Sequence, residues 1–262
     1  MKYTPKLPDD SVNVSKENPL STLTKLLISL SLLAVISYFL MGSIINFAVD
    51  SITEEQEIRL DKLLSVDLDI PSKENKYLAG ITKKLEKCAG LPYPVSIQVM
   101  DDDKPNAFAA PGGEIYVTKG ILKKASNENE LAFIIGHELG HFKNRDHLRG
   151  AGYKVVLSII GLLIGSDYGL VGSTTLNIGS ARYSQSSELK ADIFGLETVQ
   201  CAYGNVASAT TMFEKMDDGE EWKHFTATHP GFKKRVTKMN EKIEKDHLNR
   251  DGKIIPLGDM GL

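Results

Sequence analysis

Hydrophobic and polar positions split the chain into one unbroken apolar run and a longer part where apolar residues recur with helical or strand periods. The run from Leu26 to Val49 reads LLISLSLLAVISYFLMGSIINFAV and carries no charge. A bilayer core takes roughly 20 apolar residues in a helix, so this run predicts one transmembrane helix over 25–49. It begins too far along the chain, and is too long, for a typical cleaved signal peptide. Residues 1–24 are polar, contain Pro5, Pro8 and Pro19, and predict a flexible tail. Residues 50–262 are left as one domain.

Within that domain the period alternates. Thr53 to Leu64 predicts a helix, with Thr53 and Gln56 at capping-box spacing. Pro71 closes a short linker, and Glu74 to Lys87 predicts a helix that stops at Gly90. Val95 to Met100 alternates as a strand does. Asn106–Ala110 and Glu114–Thr118 predict two further strands around the turn Pro111-Gly112-Gly113. Asn127 can cap a helix that Glu130 reaches back to close, running to about Asp146. A second apolar region, 150–179, has a core (Val155 to Ile164) shorter than a bilayer span and predicts a buried helical hairpin, with a membrane-dipping element as the alternative. Phe232–His247 predicts a helix with Phe232, Val236, Met239 and Ile243 on its apolar side. The pattern implies an α+β fold, mostly helical with a small antiparallel or mixed sheet, preceded by the transmembrane helix.

Charge and composition narrow the function classes. A net charge of −3 leaves no basic excess for phosphates, so no nucleic-acid partner is expected. Cys88 and Cys201 match no metal-ligand spacing and read as packing residues, a disulfide being open to an exported domain. Lys2, Lys6, Lys16 and Lys25 precede the apolar run, which favours a cytoplasmic N-terminus and a domain on the far side.

The candidate chemistry is in HELGHFKNRDH, 137–147. His137 and His141 are four apart, so on a helix both imidazoles leave one face and can converge on a tetrahedral zinc. Glu138, between them, can reach a water on that metal. The spacing alone also occurs in unrelated chains, so a third ligand is needed. SSELKADIFG, 186–195, offers Glu188 as that ligand and Asp192, four residues on, as the carboxylate that holds a ligand histidine's outer nitrogen. Taken alone, Glu188 and Asp192 read better as a surface acid pair on an ordinary helix.

HExxH followed by ExxxD resembles the gluzincin metallopeptidases. Four blocks in order, NAFAAPGGEIYVTKGIL, HELGHFKNRDH, SSELKADIFG and THPGFKKR, resemble more narrowly the M48 family of membrane-linked zinc peptidases. The resemblance implies one zinc per chain on His137, His141 and Glu188, with Glu138 as general base. It implies His229 as a donor to the developing oxyanion, or alternatively as a resting fourth ligand that must swing away. Arg235 would pair with an acid near the site. Asn106, Ala107, Phe108 and Ala109 would form the strand edge that holds an extended substrate, although a plain core strand would show the same alternation. His147, His224 and His247 read as polar or surface positions, and Phe142–His147 adds resemblance without nameable chemistry.

These readings imply a membrane-anchored zinc endopeptidase acting on unfolded or misfolded polypeptides, held in the membrane by residues 26–49. A bacterial inner membrane with the domain in the periplasm is the expected setting, and a mitochondrial inner membrane is the alternative. The rival function is a non-proteolytic chaperone or adaptor in which the metal orders a peptide-binding cleft. Oligomeric state is not encoded in any motif.

Overall fold

The computed structural model describes residues 18–65, 72–110, 112–150, 152, 183–216 and 222–261, with the side chains of 60–65 and 224 left out. The chain divides into two units, Met1–Phe47 and Ala48–Leu262. Helix α1, Pro19–Ser51, is 33 residues long. At 1.5 Å per residue it measures about 50 Å, more than the roughly 30 Å of a hydrocarbon core. It starts earlier than the apolar run because Asn18 accepts from the Leu20 amide at 3.0 Å and Pro19 needs no amide partner. Leu27, Leu33, Phe39 and Phe47 are all more than half exposed, an apolar surface that suits lipid. The predicted 150–179 hairpin lies outside the described residues but for 150 and 152, as do residues 1–17 of the predicted tail.

Helix α2, Glu54–Ser65, has the predicted capping box: Gln56 accepts from the Thr53 amide at 2.9 Å while Thr53 accepts from the Gln56 amide at 3.3 Å. Strand β1, Ser72–Glu74, stands where the pattern predicted the start of a helix. Helix α3, Lys76–Ala89, begins later because Asn75 accepts from the Leu78 amide and caps it. Strands β2 (Ser96–Met100), β3 (Ala107–Ala110) and β4 (Glu114–Thr118) follow as predicted. The sheet order is β1-β2-β4-β3, with β2 and β4 parallel and the other pairs antiparallel, so the sheet is mixed.

The short helix α4, Lys119–Lys124, leads to α5, Glu128–Lys143. Asn127 caps α5, and Glu130 reaches back to the Ser126 amide at 2.8 Å, one residue short of a reciprocal box. Residues Asn129 to Phe142 are all buried, as expected of a central helix. Helices α6 (Gln185–Tyr203), α7 (Thr211–Lys215), α8 (Lys223–Thr228) and α9 (Phe232–Lys245) complete the described domain. One core joins Leu78, Ile81 and Leu85 of α3, Ile97, Ile115 and Val117 of the sheet, Leu131 and Ile134 of α5 and Met239 and Ile243 of α9. Phe108 and Tyr116 stack at 5.3 Å in a second small cluster with Ala110, apart from that core.

Two features bring α6 against α5. A Cβ on Gly136 would meet Gly195 at 3.3 Å, and one on Gly140 would meet the Ala191 Cα at 2.7 Å, so the backbones touch where side chains normally stand. Cys88 of α3 and Cys201 of α6 are disulfide-bonded, with Cα atoms 6.0 Å apart. This corrects the reading of both as packing residues: helix packing brings together two positions whose sequence separation, 113, gave no sign of contact.

Candidate metal centre

Helix α5 turns the spacing of His137 and His141 into one face, and α6 presents Glu188 in its first turn opposite them. The His137 and His141 Nε2 atoms are 3.1 Å apart. Glu188 Oε2 is 3.6 Å from His137 Nε2, and Oε1 is 3.5 Å from His141 Nε2. His229, at the end of α8, brings Nδ1 to 3.0 Å from Glu188 Oε1 and 3.4 Å from His137 Nε2. Donor atoms of these four residues lie within 4.8 Å of one another, and all four side chains are buried.

The outer contacts decide where the imidazole protons sit. Asp192 Oδ1 is 3.0 Å from His137 Nδ1, and Asp146 Oδ2 is 2.9 Å from His141 Nδ1. Ionised carboxylates only accept, so the Nδ1 facing each one carries the proton, with hydrogen-bond geometry at His141 and an ion-pair distance alone at His137, and a metal-binding ring then presents its Nε2 lone pair. Two lone pairs facing each other beside a carboxylate repel unless a positive charge lies among them. Without a metal, a proton on His141 supplies that charge. Burial alone would lower the pKa of His141, yet Asp146 and Glu188 raise it to about 10. Burial holds His137 below the usual histidine value. The donor set, two imidazoles and a carboxylate with a third imidazole beside them, fits zinc.

Charge balance is supplied by Arg235 on α9. Its Nε and Nη2 grip Asp192 at 2.7 and 2.6 Å, and its Nη1 reaches Glu188. Burial would push Glu188 up, but His229, His141 and Arg235 hold it well below the usual carboxylate range. Burial would likewise raise Asp192, and Arg235, then His137, keep it low. The guanidinium lies over the Phe213 and Phe232 rings at 4.9 and 5.0 Å, which excludes water from these ion pairs.

Glu138 is fully buried, and neither of its carboxylate oxygens has a hydrogen-bond partner among the described residues. His229 Nε2 lies 3.9 Å from its Oε1. An unpaired buried carboxylate costs several kcal/mol, so this group wants a donor that the described residues do not supply.

Strand β3 forms the roof. Thr118 donates its amide to Asn106 O, which sets the alternation: Phe108 and Ala110 pair with β4, while the main-chain groups of Ala107 and Ala109 turn away from it, into a fully buried setting. The Ala107 carbonyl accepts from His229 Nε2 at 3.2 Å. The side chains of Ala107 and Ala109 are fully buried in the main core, and Phe108 faces the other side of the sheet. Asn106 donates its amide to Thr118 Oγ1.

Sequence reasoning missed Asp146 and Tyr183. Asp146 sits in the block that yielded no chemistry, yet it holds His141. Tyr183 stacks on the His141 ring at 3.9 Å between centroids. Neither falls on a helical repeat, and Tyr183 precedes α6. His147 does not join the donor set; it is buried against Phe142, 4.0 Å from Glu57. His247 is exposed, and the His224 side chain lies outside the described residues.

A model described as peptidase family M48 matches residues 72–243. The chain is 30% identical over 184 residues to a protein of Schizosaccharomyces pombe named mitochondrial metalloendopeptidase OMA1, covering 67% of this chain and 55% of that one. The Saccharomyces cerevisiae protein of the same name is 26% identical over 200 residues, 70% of this chain and 54% of its own. A protein of Dictyoglomus turgidum named protease HtpX homolog is 35% identical over 124 residues, 43% of this chain and 40% of its own. The chain thus spans about half, or less, of the length of these relatives.

Proposed function

The chain belongs to peptidase family M48, and on that footing we propose that it is a membrane-anchored zinc endopeptidase hydrolysing unfolded or misfolded polypeptides. The observation that carries the reading is the Glu138 carboxylate, without a hydrogen-bond partner among the described residues, beside two converging imidazole nitrogens and the ion-paired Glu188. His137, His141 and Glu188 would hold one zinc per chain. Zinc in such a site lowers the pKa of a water to about 7 and polarises the scissile carbonyl.

The remaining steps belong to the protein. Glu138 takes the water's proton and passes it to the leaving amine. His229 donates to the oxyanion that develops on the carbonyl. As placed, its Nδ1 turns toward Glu188 and its Nε2 toward Ala107 O, a fourth-donor position that it leaves when it serves the oxyanion. Asp192 and Asp146 keep the two ligand rings in one tautomer, and Arg235 neutralises the carboxylates around them. The β3 edge at Ala107 and Ala109, buried and bonded to His229 as placed, would pair with substrate main chain once His229 moves aside, a mode that accepts any extended sequence.

Helix α1 is the anchor. The preceding lysines place the N-terminus in the cytoplasm. The Cys88–Cys201 disulfide supports an oxidising far side, the periplasm of a bacterial inner membrane being the setting proposed. A non-proteolytic adaptor has no use for a buried unpaired carboxylate, which disfavours the rival. The test is cleavage of a casein-type substrate by the full chain carrying Glu138→Gln. Zinc content should stay at one per chain while cleavage falls by at least about 100-fold; undiminished cleavage would sink the mechanism.

A further inference from the structure

Arg145 has φ 56°, a left-handed conformation that costs a non-glycine residue about 1 kcal/mol or more and persists only where the surroundings impose it. The surroundings are the chain leaving α1. Arg145 Nη1 donates to the carbonyls of Val49 and Ile52 at 3.1 and 2.8 Å, and its Nε lies 2.8 Å from Glu57 Oε2. Glu57 is buried, and its other oxygen accepts from the Tyr93 hydroxyl at 3.0 Å. Four residues on, Arg149 lies 2.5 Å from Asp50 and 3.7 Å from Asp146.

The left-handed residue has a geometric effect on the metal centre. Helix α5 stops at Lys143, residues 144–145 form a turn, and the chain is helical again from Asp146. Had the helix continued, Asp146, five residues after His141, would project about 140° away around the axis and miss the ring. Because Arg145 breaks the helix, Asp146 instead meets His141 Nδ1 at 2.9 Å. Two adjacent residues thus hold the two ends of one link: Arg145 grips residues 49–57, and Asp146 grips a metal-facing histidine.

We propose that Arg145 is a positioning residue through which the segment 49–57, where the chain leaves its membrane helix, sets Asp146 and so the hold of His141 on the metal. The inference deepens the reading of the site as a zinc centre and rests on it. An ordered exit segment keeps the metal; one pulled out of place by strain on the anchor loosens it.

The test uses the full chain, loaded with zinc in detergent, and follows zinc transfer to a chromogenic chelator together with the unfolding midpoint of the metal-free protein. Arg145→Gly removes the grip while relieving the left-handed strain, and Glu57→Gln weakens the grip without touching the turn. Both should release zinc about 10-fold faster, the range expected for loss of a ligand's supporting contact, with metal-free midpoints near wild type. Arg145→Lys, which keeps charge but not the fork, should fall between. At saturating zinc, both variants should recover wild-type KM. Asp146→Asn is the control and should release zinc at least as fast. Fast release from Asp146→Asn with wild-type rates from Arg145→Gly and Glu57→Gln would overturn the link and leave the zinc centre standing. Release that merely tracks a lowered metal-free midpoint overturns it too. A wild-type chain that takes up no zinc overturns both readings.

Discussion

Gly140 and Ala191 meet backbone to backbone: a Cβ built on Gly140 would stand 2.7 Å from the Ala191 Cα and 2.9 Å from its carbonyl oxygen. The contact lies between His141 and Glu138 on one helix and Glu188 and Asp192 on the other. The distance between these helices is therefore also the distance between the ligands. Gly140→Val should force the helices apart, lower stability by about 3 kcal/mol, at the upper end for overpacking because the obstacle is backbone, and lose bound metal. Urea unfolding and metal analysis check it; a variant that keeps both would show that α6 can retreat without moving Glu188.

Glu138 should be a liability to the fold. Its carboxylate is buried and has no hydrogen-bond partner among the described residues, and Glu138→Gln replaces the charge by a neutral group of the same shape. In metal-free protein this substitution should raise stability by about 1 kcal/mol, seen as a higher unfolding midpoint. A lower midpoint would mean that the carboxylate has a stabilising partner.

Arg235 should behave oppositely. It is the shared partner of Asp192 and Glu188, so Arg235→Met leaves buried carboxylates without compensation. A loss of about 3–5 kcal/mol is expected in denaturant unfolding, whereas an exposed ion pair would cost less than about 1.

The disulfide closes a long loop. Reduction, or Cys88→Ser with Cys201→Ser, should lower stability by about 2–5 kcal/mol. A thermal scan with and without reductant reads this directly, and identical midpoints in wild type would show that the bond contributes nothing.

How much of this is legible in the sequence depends on whether an interaction is periodic. His137, Glu138 and His141 share one turn of one helix, and Glu188 and Asp192 repeat the same four-residue spacing, so both halves of the centre are legible as spacings along the chain. Strand β2 announces itself by alternation, and β3 and β4 by the Pro-Gly-Gly turn between them. Asp146 does not, because its contact with His141 depends on a left-handed arginine that no pattern signals. Strand β1 is too short to alternate, and its pairing with β2 comes from tertiary context. Which glycine touches which helix, and which cysteine finds which, are facts of packing between segments far apart in the chain.

The bond between Cys88 and Cys201 also has a topological consequence. The ring it closes contains β2 to β4, His137, Glu138, His141 and Glu188. A single backbone nick anywhere inside that ring, whether by another protease or by a second copy of this one, leaves one covalent molecule. Under non-reducing electrophoresis the nicked chain stays a single species, and two fragments separate only once thiol is added.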